Sequence, residues 1–169
     1  MKSQRLYLLI AILLVIGISQ QSWVYYQKNH GPVDLPTVSF LDEAKQNRTL
    51  KEVGTGRNTL VVIYQKDCEF CKRELTSMNE QVADFAALEL VFLSMDSWSE
   101  MMTFKAQYFP QSTDNILFGA MAPDQVNMLL GDDALAYPYF LFFDETGRLK
   151  VRHKGLVSVQ KILETIDRV

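Results

Sequence analysis

Residues 59–74 read TLVVIYQKDCEFCKRE, and a change of character inside this stretch decides the fold. Residues 59–65 (TLVVIYQ) are β-branched and aromatic at successive positions and too few for a helix. They predict a strand buried on both faces, at the centre of a sheet. From Cys71 the period changes, and Leu75, Met78, Val82 and Phe85 fall on one helical face. Cys68 and Cys71, the chain's two cysteines, therefore stand where a central strand hands over to a helix.

That position has a chemical consequence. A thiol attacks disulfides as the thiolate, and a helix N-terminus lowers a thiol pKa through its unpaired N–H groups and its dipole. Cys68 occupies that place. Cys71 lies one turn further in, so its sulfur can return to Cys68, and the pair can cycle between dithiol and disulfide with no cofactor. Lys66, Lys72 and Arg73 favour the thiolate, whereas Asp67 and Glu69 oppose it.

Three other uses of such a pair stand beside this one. A zinc site needs two more ligands, and His30 and His153 do not form a ligand pair by spacing. A purely structural disulfide would close so short a loop that it stabilises little. A copper site would recruit His153 or some of the seven methionines, most of which fall on apolar faces where core packing is the default. A peroxidatic cysteine belongs in a Thr-x-x-Cys context, which Gln65-Lys66-Asp67-Cys68 does not supply.

Outward from the motif, residues 88–95 (LELVFLSM) predict a second strand, and Met101, Phe104 and Tyr108 a helix that stops before Pro110. Residues 111–122 read as loop with a short strand at 116–118. Pro123 starts a brief helix that Gly131 ends. Residues 139–143 (YFLFF) and 149–153 predict an antiparallel hairpin joined by Asp144-Glu145-Thr146-Gly147. Val159, Ile162, Leu163 and Ile166 mark one face of a C-terminal helix. Strands alternating with helices, then a closing hairpin and helix, predict a mixed-sheet α/β domain. Pro138, directly ahead of YFLFF, has no N–H for a ladder and suits a strand's first residue.

The whole chain has 169 residues, 48% of them hydrophobic, which predicts one domain with some extra. A domain of that size buries roughly 70% of its unfolded surface and needs no disulfide staples. Seventeen Lys and Arg face twenty Asp and Glu, with no basic cluster, which excludes a nucleic-acid partner.

The extra lies at the start. Residues 6–18 are an unbroken apolar run preceded by Lys2 and Arg5 and by no acid. Gly17-Ile18-Ser19 offers a cleavage site before Gln20, as in a signal peptide. Extended to Tyr26, the run is long enough to span a bilayer, with Trp23, Tyr25 and Tyr26 at the interface, although Ser19, Gln20, Gln21 and Ser22 are polar. An uncleaved anchor over residues 1–26 is the preferred reading, followed by a tether over 27–37 and the folded domain over 38–169. Both readings export the domain, and the basic start keeps the N-terminus in the cytoplasm.

From about Val38 onward the pattern resembles the thioredoxin superfamily. Cys68-Glu69-Phe70-Cys71 matches its redox motif and Pro138 its cis-proline. The stretch between Cys71 and Pro138 is longer than in a minimal thioredoxin, and its helices around Phe104 and Val126 are similar to the central insert of the TlpA/ResA/CcmG branch. That branch often continues Cys-x-x-Cys-x-x-Glu, and Glu74 stands at the last position of CEFCKRE. The resemblance implies a thioredoxin-like mixed sheet flanked by helices, and a thiol–disulfide oxidoreductase anchored in the cytoplasmic membrane with its domain on the outer, periplasmic side. It further implies reduction of client protein disulfides, apocytochrome c among the candidates, and resetting by a membrane electron donor of the DsbD type. Cys68 would attack and Cys71 resolve. Glu74 would assist proton transfer, unless it is an exposed helix-surface glutamate, while Tyr137, Pro138 and Phe70 would meet the client. No cofactor or metal is implied. The chain departs from the pattern at Asp67, where Trp is common, at Phe70, where Pro is frequent, and at Tyr137, where a smaller residue is usual. Val62 stands where thioredoxin has a buried acid.

Overall fold

The computed structural model describes residues 34–131 and 135–168. The apolar run read as a membrane anchor lies outside the described residues. No described helix is long and apolar enough to cross a membrane.

Seven strands form one mixed sheet: β1 Ser39–Asp42, β2 Asn47–Thr49, β3 Thr59–Tyr64, β4 Glu89–Ser94, β5 Ile116–Ala120, β6 Tyr139–Phe143 and β7 Leu149–Lys154. Their order is β2-β1-β5-β4-β3-β6-β7, with β3, β4 and β5 parallel and the rest antiparallel. All six residues of β3 are buried, as are all six of β4, because helices cover both faces of the sheet. Leu60, Val62 and Tyr64 point to the face covered by α2 (Glu69–Glu80), α3 (Trp98–Tyr108) and α5 (Val159–Ile166). Val61 and Ile63 point to the face covered by α1 (Leu50–Gly54) and α4 (Pro123–Leu130).

The motif helix is shorter than its periodicity suggests. It ends at Glu80, and Val82 and Phe85 enter the core from a separate 3-10 turn, Val82–Phe85. The β1–β2 hairpin and α1 add an antiparallel flank that pairs with β5. Gly119 makes that pairing close: a Cβ there would lie 2.3 Å from the Phe40 ring, so only glycine lets Phe40 cross the strand. Contacts of the fold also begin inside the stretch read as a tether. Leu35 is buried and its N–H donates to the Gly147 carbonyl at 2.6 Å, while Asp34 bridges Arg148. Gly147 has φ +80°, closing the β6–β7 turn with its N–H on the Asp144 carbonyl at 2.8 Å.

Candidate functional site: the Cys68–Cys71 pair

In the parallel register of β3 and β4, Tyr64 lies beside Ser94, so the chain leaves both strands at the same end of the sheet. Crevices form at the carboxyl ends of such strands. Cys68 is the N-cap of α2, in extended backbone (φ −85°, ψ 108°), and its Sγ accepts the Cys71 N–H at 3.1 Å. This is the donor that a thiolate at Cys68 would need. The two cysteines form a disulfide with Cα atoms 5.2 Å apart. Cys71 is fully buried and Cys68 only partly, so an approaching sulfur meets Cys68 first.

The flanking cations are less available than their sequence positions suggest. The Lys66 ammonium is bound to Glu100, a partnership that raises the pKa of Lys66 and, with bonds to Ser97, holds the Glu100 carboxyl down at about 2. Lys72 pairs with Glu69, at 2.5 Å. Both lysines are thus engaged by carboxylates, while the Cys71 N–H remains directed at Cys68 Sγ.

Glu74 is not on an exposed helix surface. Only 1% of it is exposed, because it lies on the same buried face of α2 as Cys71 and Met78. One carboxyl oxygen, Oε2, accepts the Val157 N–H at 3.2 Å, and Oε1 has no hydrogen-bond partner among the described residues. Burial pushes the carboxyl from its ordinary 4.5 up to about 7, with the Val157 N–H and Arg73 pulling weakly the other way. Beside it runs an open groove of about 680 Å³, lined by Lys72, Arg73, Ser77, Tyr108, Val157 and Ser158. Glu74 is thus a buried carboxyl held well above its ordinary pKa, beside an open groove.

Pro138 follows a cis peptide bond and precedes β6, whose Tyr139 pairs with Ile63. That register brings Tyr137 and Pro138 to the same end of the sheet as the motif. The Pro138 carbonyl accepts the Gly155 N–H at 2.8 Å, so residues 155–158 connect the cis-proline to Glu74 through Val157. Tyr137 is half-buried, and burial together with Asp96 raises its phenol pKa. Phe70 stands 55% exposed on the first turn of α2, between the two cysteines.

The sequence reading missed Asp96, Ser94 and the segment 155–158. The segment acts through main-chain groups, which leave no residue-type signal. Asp96 directly follows the strand predicted at 88–95, but its reach to Lys66 depends on that strand pairing with β3, which only the structure shows. Among the described residues no three His, Cys, Asp or Glu side chains gather as a metal site. The His153 ring lies 3.5 Å from the Leu156 carbonyl, and Met78, Met101 and Met121 are core residues.

A Cys-x-x-Cys pair capping the helix after a central strand, with a cis-proline entering the next antiparallel strand, defines a thioredoxin-like protein. The chain belongs to the AhpC/TSA family, whose model matches residues 33–152. No curated protein matches it by sequence. Solved structures show the same fold. DsbF of Mycobacterium tuberculosis, seen in mixed oxidised and reduced forms, superposes with a TM-score of 0.67 at 16% identity, covering 82% of this chain and 98% of that one. A secreted M. tuberculosis disulfide oxidoreductase homologous to E. coli DsbE gives 0.61 at 15% identity, covering 79% and 96%. Arabidopsis thaliana ScoI with copper bound gives 0.61 at 11%, covering 82% and 100%.

Proposed function

We propose that the protein is an extracytoplasmic thiol–disulfide oxidoreductase that reduces disulfides of client proteins. The observation that carries this reading is the asymmetry of the pair: Cys68, partly exposed, receives the Cys71 N–H, and Cys71 waits fully buried one turn behind.

In the reduced protein the Cys68 thiolate attacks one sulfur of a client disulfide, forming a mixed disulfide and releasing the other client sulfur as a thiolate. Cys71, losing its proton, then attacks Cys68 Sγ. The second client thiolate leaves, and the Cys68–Cys71 disulfide forms. Two electrons pass from protein to client, and the client thiolates take up two protons. Glu74, three residues beyond Cys71 on its buried face, accepts a proton near neutral pH and serves the resolving step. Tyr137 and Pro138 offer main-chain groups to the client, and Phe70 an apolar contact. A membrane dithiol donor of the DsbD type returns two electrons to the pair. Export and anchoring rest on the basic, then apolar, residues 2–18. Disulfides of apocytochrome c fit the client class.

Trapping tests the reading. Cys71→Ala, expressed in the native host, is expected to accumulate mixed disulfides on Cys68 that dithiothreitol releases. A Cys71→Ala protein that captures nothing, or a wild type that retains copper and shields its thiols with it, contradicts the reading.

A further inference from the structure

Residues 65–67 link β3 to Cys68, and this short loop decides where the Cys68 sulfur points. It is held from the side by β4. Asp96 Oδ2 accepts the Lys66 N–H at 2.8 Å and the Ser94 Oγ–H at 2.6 Å, and the Asp96 N–H donates back to Ser94 Oγ at 3.0 Å. Ser94 is fully buried at the end of β4, and its carbonyl accepts the Met121 N–H at 2.8 Å. The carboxylate is therefore fixed to the rigid centre of the sheet. The Lys66 side chain runs to Glu100 on α3, whose N-cap Ser97 adjoins Asp96. One loop residue, two before Cys68, is gripped by main chain and by side chain.

A carboxylate here is unfavourable on charge alone, because a negative neighbour opposes ionisation of a thiol. Its field reaches the other side of the site, contributing to the raised pKa of the Tyr137 phenol. What the carboxylate supplies is a pair of strong acceptor bonds to neutral donors. We propose that Asp96 is a positioning residue, holding residues 65–67 so that Cys68 Sγ stays on the Cys71 N–H. The inference rests on the exchange reading above, because a poised Cys68 matters only if that sulfur reacts.

Position and charge predict opposite signs. If the loop slackens, the Cys68 thiolate loses its N–H donor and its pKa rises. If only a negative charge disappears, its pKa falls. Asp96→Asn keeps an oxygen for the Lys66 N–H and removes the charge, whereas Asp96→Ala removes both.

The experiment measures the iodoacetamide alkylation rate of Cys68 in the reduced full chain from pH 4 to 9, with the site identified by mass spectrometry. Asp96→Ala is expected to slow alkylation at pH 6 about tenfold, in line with the loss of a charge-assisted bond. Asp96→Asn is expected to react at the wild-type rate or faster. Ser94→Ala, which removes the brace but leaves the carboxylate, is expected to slow it about threefold, and it decides the matter if Asp96→Ala does not fold. Asp96→Ala reacting faster than wild type would show that Asp96 acts by charge, and unchanged rates in Asp96→Ala and Ser94→Ala would show that it positions nothing. Either outcome overturns the proposal. A wild type that fails to exchange disulfides overturns the exchange reading instead, since the alkylation profile is read on the thiol itself.

Discussion

Two buried glutamates on this domain are treated in opposite ways. Glu89 opens β4 and is 4% exposed, and Arg57 donates to its Oε2 at 2.8 Å. Glu74 is 1% exposed and receives one main-chain N–H, with its other oxygen unbonded among the described residues. Burial raises both carboxyl pKa values; at Glu89 a hydrogen bond from Arg57 works against it, whereas at Glu74 the Val157 N–H and the charge of Arg73 still leave the carboxyl at about 7. A buried carboxylate that serves the scaffold is paired. One left half-satisfied three residues beyond a reactive cysteine is available to a proton, and such exceptions concentrate at functional sites.

The largest expected effect separates the two regions outright. Cys68→Ser should reduce disulfide exchange, measured with a chromogenic disulfide peptide, to the uncatalysed rate. Its urea midpoint, compared with reduced wild type, should move little, because the serine still caps α2. Arg57→Ala should do the reverse. Left without its partner, Glu89 should cost about 1–3 kcal/mol in urea unfolding, less than a fully enclosed pair would because Arg57 is itself largely exposed. Cys68 alkylation should not change.

Glu74→Gln distinguishes the two carboxyls through pH. The folded carboxyl titrates at about 7 and the unfolded one near 4.5, so the folded state holds the proton more tightly. Below 4.5 the stabilisation is complete; it is lost as pH rises toward 7, because the unfolded chain ionises first. Relative to Glu74→Gln, the wild type should lose about 1–2 kcal/mol between pH 4.5 and 8, the full shift being reduced by the open groove alongside. Equal pH profiles for the two proteins would remove Glu74 from proton exchange. The smallest effect on stability belongs to Phe70→Ala, within about 0.5 kcal/mol at so exposed a site, while KM for an apolar disulfide peptide should rise severalfold.

The scaffold was legible where pattern and burial coincide. TLVVIYQ and LELVFLSM read as buried strands because both faces are covered, and YFLFF with its turn read as a hairpin because Gly147 closes it. The β1–β2 flank was not, since Phe40 and Leu41 are too few to show a period and their pairing depends on Gly119 in a distant strand. In the site, Cys68 and Cys71 announced themselves by spacing. The burial of Glu74 did not, because CKRE reads as a polar helix face, and the Val157 N–H that meets the carboxyl comes from a segment far along the chain. Lys66 and Lys72 looked like free cations until Glu100 and Glu69 were placed against them. Asp96 stayed hidden because its partner is a main-chain N–H on another strand's exit.

Whether Cys68 and Cys71 form a reversible redox couple is decided by equilibrium with a thiol buffer. The full chain is held in graded mixtures of reduced and oxidised glutathione, quenched in acid, alkylated and weighed by mass spectrometry. One two-electron transition is expected between the Cys68–Cys71 disulfide and the dithiol, with the same midpoint from either direction and a tenfold change in ratio for every ~30 mV. A pair that never reduces, or that once reduced does not re-form its disulfide, would contradict it.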